Sequence, residues 1–93
     1  MKIAAVCGSG LGTSFMVEMN IQKILKELGV TDVEVNHYDL GSVSPDVADF
    51  FVVASDLESS TGHLGNVIVL NSIIDMDELT EKITALCKEQ GLI

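Results

Sequence analysis

The sequence predicts a single α/β domain spanning residues 1–93, built as three layers around a four-stranded parallel sheet with helices on both faces. Three observations carry that expectation. Short strand-like runs recur at 2–6, 33–37, 50–54 and 67–70. Two longer segments, Ser14 to Leu28 and Asp75 to Gln90, repeat their apolar residues at helical spacing. Strands separated by crossover segments favour parallel pairing with helices laid over the sheet.

The elements follow in order. Residues 2–6 read as a buried strand, and Cys7 opens a glycine-rich turn after it. The first helix runs from Ser14 to Leu28 and is stopped by Gly29. Val33-Glu34-Val35-Asn36-His37 alternates, as expected of a strand near a sheet edge. Asp39 to Asp49 is a turn-rich connection holding Gly41 and the only proline, Pro45, with room for one short helical turn. Phe50 to Ala54 is apolar throughout and reads as a strand buried on both faces. Ser55 to Gly65 is polar and irregular, with a turn of helix in its first half, and Val67 to Leu70 is the fourth strand. Asp75 is placed as an N-cap with Glu78 three residues on, a variant of the capping box. Met76, Leu79, Ile83, Leu86 and Cys87 then mark the last helix, which Gly91 closes.

Composition narrows the function. The 93 residues are 47% hydrophobic, enough for a packed core without disulfides or metal. Fourteen acids against five lysines and no arginine give a net charge of −9. That balance repels nucleic acid and anionic membrane. No apolar run approaches the roughly 18 residues of a membrane span, and the stretch before Cys7 is too short for a signal core. The chain is therefore expected in the cytoplasm, with no direct membrane insertion. Cys7 and Cys87 lie far apart, and with two scattered histidines they offer no zinc spacing. Neither a metal nor a cofactor is implied.

Cys7 and the turn Gly8-Ser9-Gly10-Leu11-Gly12-Thr13-Ser14 carry the chemistry. Strand, glycine loop and helix N-terminus together aim backbone N–H groups at an anion. A thiol at the mouth of such a nest has a stabilised thiolate and acts as a nucleophile. Neighbouring phosphate motifs fit less well. A Walker loop needs a lysine that the segment lacks, and the spacing breaks the dinucleotide fingerprint Gly-x-Gly-x-x-Gly. The cysteine phosphatase pattern Cys-x5-Arg reaches Thr13, not arginine. Arginine's fork would clamp the transferring phosphoryl group. Without it a phosphocysteine forms but is slow to hydrolyse, which describes a carrier. Cys7 is thus the candidate nucleophile, and Gly8, Ser9, Gly10, Leu11, Gly12, Thr13 and Ser14 the phosphate cradle. A thiol phosphatase and a redox-sensing or anion-binding domain stay open as alternatives.

Cys7-x-x-Gly10-x-Gly12-Thr13-Ser14 resembles the phosphorylation loop of enzyme IIB subunits of the bacterial phosphoenolpyruvate-dependent sugar phosphotransferase system. The short first strand, Met16 and Met19 in the first helix, the Ala54-Ser55 strand end and the closing helix are similar to the ascorbate-specific branch. Galactitol-type and lactose-type IIB proteins share the loop. The resemblance implies a parallel sheet of order 2-1-3-4, like a pared-down low-molecular-weight phosphatase. It further implies that Cys7 takes a phosphoryl group from a phosphohistidine on a IIA protein. Cys7 then passes it to a sugar, expected to be L-ascorbate, held by a IIC membrane transporter. On that reading the subunit meets the membrane transiently, through IIC.

On the first helix, Val17, Ile21, Ile24, Leu25 and Leu28 form the core stripe, leaving Phe15 and Met19 almost opposite. With Leu11 at the loop crest, Phe15 and Met19 are candidate contacts for IIA or IIC. The competing reading packs them against the 55–65 segment or places them in a frayed helix start. His37 reads as a strand-end rim residue and His63 as a turn histidine. Ser55 and its neighbours are expected to rim the crevice at the carboxyl end of the sheet. Asp56 is either a helix cap or, by phosphatase analogy, a general acid. Cys87 is core.

Overall fold

The computed structural model describes residues 1–8 and 13–93. Four strands, β1 (Lys2–Cys7), β2 (Glu34–Asp39), β3 (Phe50–Ala54) and β4 (Val67–Leu70), pair in the order β2-β1-β3-β4. Every pairing is parallel. The helices are α1 (Thr13–Glu27) and α2 (Met76–Glu89), with 3₁₀ turns at Ser55–Ser60 and Gly62–Leu64.

Residue choice explains these boundaries. Gly29 takes φ 78° after α1, and its N–H donates to Lys26 O while Val30 N–H donates to Leu25 O. Gly91 repeats the arrangement after α2 with φ 72°, its N–H donating to Lys88 O while Leu92 N–H donates to Cys87 O. Both helices therefore end in Schellman motifs, where glycine adopts a left-handed backbone without Cβ strain. Asp75 is the N-cap of α2 as the sequence predicts, its side chain accepting from Asp77 N and Glu78 N. The reciprocal half of the capping box does not form. Glu78 instead accepts from the Asn71 and Ser72 amides at 2.9 and 3.0 Å, holding the turn between β4 and α2. These amide bonds bring its carboxyl from 4.5 down to about 2.

Both α-helices lie on one face of the sheet. Val17, Ile21, Ile24 and Leu25 of α1 share a core with Leu79, Ile83, Leu86 and Cys87 of α2, over Ile3, Ala5, Val35 and Val52. Burial raises the Cys87 thiol, in keeping with its expected core role. On the other face, Ala4, Val6, Phe51 and Val53 pack with Leu64 beneath Leu40, Val43, Val47 and Leu57. The helical cover expected there is thus supplied by 3₁₀ turns and the 40–49 connection. Among the described residues, no helix is long and apolar enough to cross a membrane.

Candidate functional site

Parallel pairing brings the carboxyl ends of all four strands to one edge, where open sheets of this kind bind ligands. Cys7 ends central strand β1, paired with Asp39 of β2, while the preceding Val6 pairs with Val53 of β3. It is 7% exposed, and the N-terminal end of α1 contributes Ser14, 5% exposed, beside it.

Two cavities open at Cys7. The first, about 430 Å³, is walled by Gly8, Ser14, Val17, Val53, Asp56 and Leu57 among others. The Cys7 strand end and the segment after β3 therefore share a crevice, as the sequence predicts, although Asp56 and Leu57 rather than Ser55 line it. The 3₁₀ turn Ser55–Ser60 is capped by Ala54 without any side-chain bond, so Asp56 is not a cap. Asp56 is one of the residues lining the cavity instead. A Cβ on Gly8 would lie 3.1 Å from Leu57 Cδ2, so this glycine permits a close approach of the 3₁₀ turn. The turn is held by Thr61, fully buried, whose hydroxyl donates to Leu57 O at 2.9 Å.

The second cavity, about 350 Å³, lies on the β2 side of Cys7 and is lined by Ser14, Phe15, His37, Tyr38, Asp39 and Ser42. His37 Nδ1 lies 2.5 Å from Glu18 Oε2. The Phe15 ring meets the His37 ring edge-on, with centroids 5.4 Å apart and planes at 90°. Asp39 is occupied locally, Oδ1 accepting from Ser42 N at 2.8 Å.

Of the sequence-predicted site residues, Cys7, Gly8 and Ser14 come together. Ser9, Gly10, Leu11 and Gly12 lie outside the described residues, and Thr13 is placed only as the first residue of α1. Phe15 and Met19 are 50% and 52% exposed, so they do not pack beneath the 55–65 segment. His63, in the turn Gly62–Leu64, lines neither cavity. Sequence reading missed Leu57, Thr61 and the Glu18–His37 pair. Only the apolar Leu57 within a polar run left any local signal. Among the described residues no cluster is placed to hold a metal ion.

This architecture, a parallel α/β sheet with a cysteine at its carboxyl edge beside a helix start, defines a domain class suited to phosphoryl transfer. Residues 2–90 match the family model described as PTS system, Lactose/Cellobiose specific IIB subunit. The chain belongs to that family, whose IIB components are phosphotransferases of the sugar phosphotransferase system. An 89-residue stretch is 33% identical to the PTS system mannitol-specific cryptic EIICB component of Escherichia coli, covering 90% of this chain and 19% of that protein. A 31-residue stretch is 48% identical to the Ascorbate-specific PTS system EIIB component of Mycoplasma pneumoniae, 33% of each chain. The chain thus spans a third or less of the lengths of these relatives. The lactose-specific IIB component domain of Streptococcus pneumoniae superposes with a TM-score of 0.61 at 19% identity, over 96% of this chain and 95% of that one. That likeness concerns the fold.

Proposed function

We propose that residues 1–93 form one IIB domain in which Cys7 carries the phosphoryl group of a sugar phosphotransferase system. The observation that carries this reading is the placement of Cys7 at the end of the central strand, beside the start of α1, with a cavity on either side. A phosphorylated IIA protein is the donor, and its phosphohistidine transfers to Sγ. Amides and hydroxyls from Gly8 to Ser14 cradle the phosphoryl oxygens. The acceptor is a sugar held by a IIC transporter, a pairing supported by the joined name of the E. coli EIICB relative. The domain works in the cytoplasm and meets the membrane through IIC. Phe15 and Met19, half exposed on α1, dock these partners, together with Leu11, which lies outside the described residues.

L-ascorbate is the sugar this reading favours, supported by the 48% identity over 31 residues to an ascorbate-specific component. The test mixes the protein with phosphoenolpyruvate, the general phosphotransferase proteins and a candidate IIA, and records intact mass. One added phosphoryl group, absent in Cys7→Ser and kept in Cys87→Ser, is the expected result. No adduct from a competent phosphorylated IIA of the ascorbate, lactose, galactitol and mannitol branches would overturn the carrier reading. Delivery to L-ascorbate, lactose, galactitol or mannitol in vesicles holding the matching IIC then decides the sugar.

A further inference from the structure

The described residues lining the two Cys7 cavities include one side chain able to carry positive charge, His37. Strand alternation puts it on the same face as the thiol. Ala5 and Val35 pack into the core beneath α1, so Cys7 and His37, two residues further along each strand, face α1 as well. There the imidazole is held from two directions. Glu18 of α1 takes Nδ1 at 2.5 Å, and the Phe15 ring braces it edge-on. Bonding at Nδ1 fixes the ring's orientation and makes Nε2 the nitrogen for proton exchange. A nucleophile, an imidazole lining the same cleft and a carboxylate that orients it are the three roles of an activated-nucleophile site.

We propose that His37 accepts the Cys7 proton during phosphoryl transfer and that Glu18 is its positioning residue, an inference that rests on Cys7 being the phosphoryl acceptor. The thiol proton passes to Nε2, directly or through one water. The sulfur electron pair forms the S–P bond as the donor's N–P bond breaks. The electron pair of that bond stays on the donor imidazole, which takes a proton from solvent. His37 is then an imidazolium beside the new phosphocysteine, a positive charge in a chain without arginine. The ionisable groups facing it are Glu18 from α1, Cys7 from β1 and Asp39 two residues along its own strand; the intervening Tyr38 packs on the other face of the sheet, and the turn beyond brings Ser42 and no charge.

The test reads the rate of Cys7 alkylation by iodoacetamide against pH, by the mass of the Cys7 peptide, in the full chain. Wild type is expected to show an inflection set by the base that takes the Cys7 proton. His37→Gln should lose it and react about tenfold more slowly at neutral pH, as for an unassisted thiol. Glu18→Gln should fall in the same direction by less, and it carries the test should His37→Gln fold poorly. Asp39→Asn, removing the other nearby charge, should keep the inflection. Superimposable profiles for wild type and His37→Gln, or an inflection that follows Asp39, would overturn the proposal. Phosphorylation by IIA separates this from the wider reading. A phosphorylated wild type with an unchanged kcat in His37→Gln sinks the role of His37 alone, whereas an unphosphorylated wild type sinks the role of Cys7.

Discussion

Gly8→Ala probes the contact that brings the 3₁₀ turn against the Cys7 strand. Gly8 has no positive φ, so alanine fits the backbone there. By restricting the unfolded chain, the change should stabilise by about 0.4–1 kcal/mol. The added Cβ, however, falls 3.1 Å from Leu57 Cδ2 and 3.7 Å from Cδ1, while carbon contacts prefer roughly 3.5–4.0 Å. Overpacking of this kind costs about 1–3 kcal/mol. Leu57 is only half-buried and ends in a rotatable isobutyl group, which places the cost near the lower end. The net expectation is a loss of about 0.5 kcal/mol, or ~2–4 °C in Tm for a chain of this size. In a Leu57→Ala background the obstruction is gone, and the same change should gain about 0.5 kcal/mol. Urea denaturation of the four proteins in this cycle should therefore return a coupling of about 1 kcal/mol. An equal effect of Gly8→Ala in both backgrounds would refute the reasoning, because Leu57 would then not be what requires glycine.

Three further outcomes are expected. Glu78 has its pKa lowered to about 2 by the Asn71 and Ser72 amides, so its contribution is full above the ordinary carboxylate range and lost as pH falls through about 2. The stability gap between wild type and Glu78→Gln should be constant above about pH 5 and close on further acidification, read as urea midpoints against pH. Thr61→Val keeps the shape of a fully buried side chain but removes its bond to Leu57 O. It should lose about 1 kcal/mol in denaturant titration, and no loss would mean that the hydroxyl does not hold the turn. Met19→Lys, at a half-exposed position on α1 away from both cavities, should leave the melting temperature within a few degrees, for about ±0.5 kcal/mol at an ordinary surface site. It should slow phosphorylation by limiting IIA or delivery to IIC; if both rates were unchanged, the docking patch would be withdrawn.

Legibility in the sequence tracked how local the determining interaction is. Strands β3 and β4 begin and end where expected, because polar residues bound their apolar runs. Strand β2 is displaced, running Glu34–Asp39 rather than 33–37, because pairing with β1 carries it on to the Cys7–Asp39 partnership. The amphipathic stripes of α1 and α2 were readable, but a stripe does not say which face of a sheet it covers. Both helices joined the core over Ile3 and Ala5, leaving Leu64 and the 40–49 connection to cover the other side. Cys7 stood out through its glycine context. Glu18 and His37 meet only once α1 has folded across β2, and nothing in their nineteen-residue separation announces it. Thr61 was hidden for the same reason: within Ser59-Ser60-Thr61-Gly62 it looks solvated, yet it is fully buried.

The charges around Cys7 fit a carrier better than a hydrolase. A hydrolase must stabilise the phosphoryl group while water attacks, and fixed guanidinium donors serve that purpose. Here the described cavity walls offer Asp39, Asp56 and one imidazole. Carboxylates near a dianionic phosphocysteine raise its free energy, so the group is more readily given up than on a strongly cationic site. They also disfavour the approach of hydroxide. A partner that brings its own positive charge would relieve both repulsions at once, and the net charge of −9 draws such a surface in. On the carrier reading proposed above, transfer is fast only when the correct protein completes the site, and the scarcity of cations among the described residues around the thiol becomes a source of selectivity.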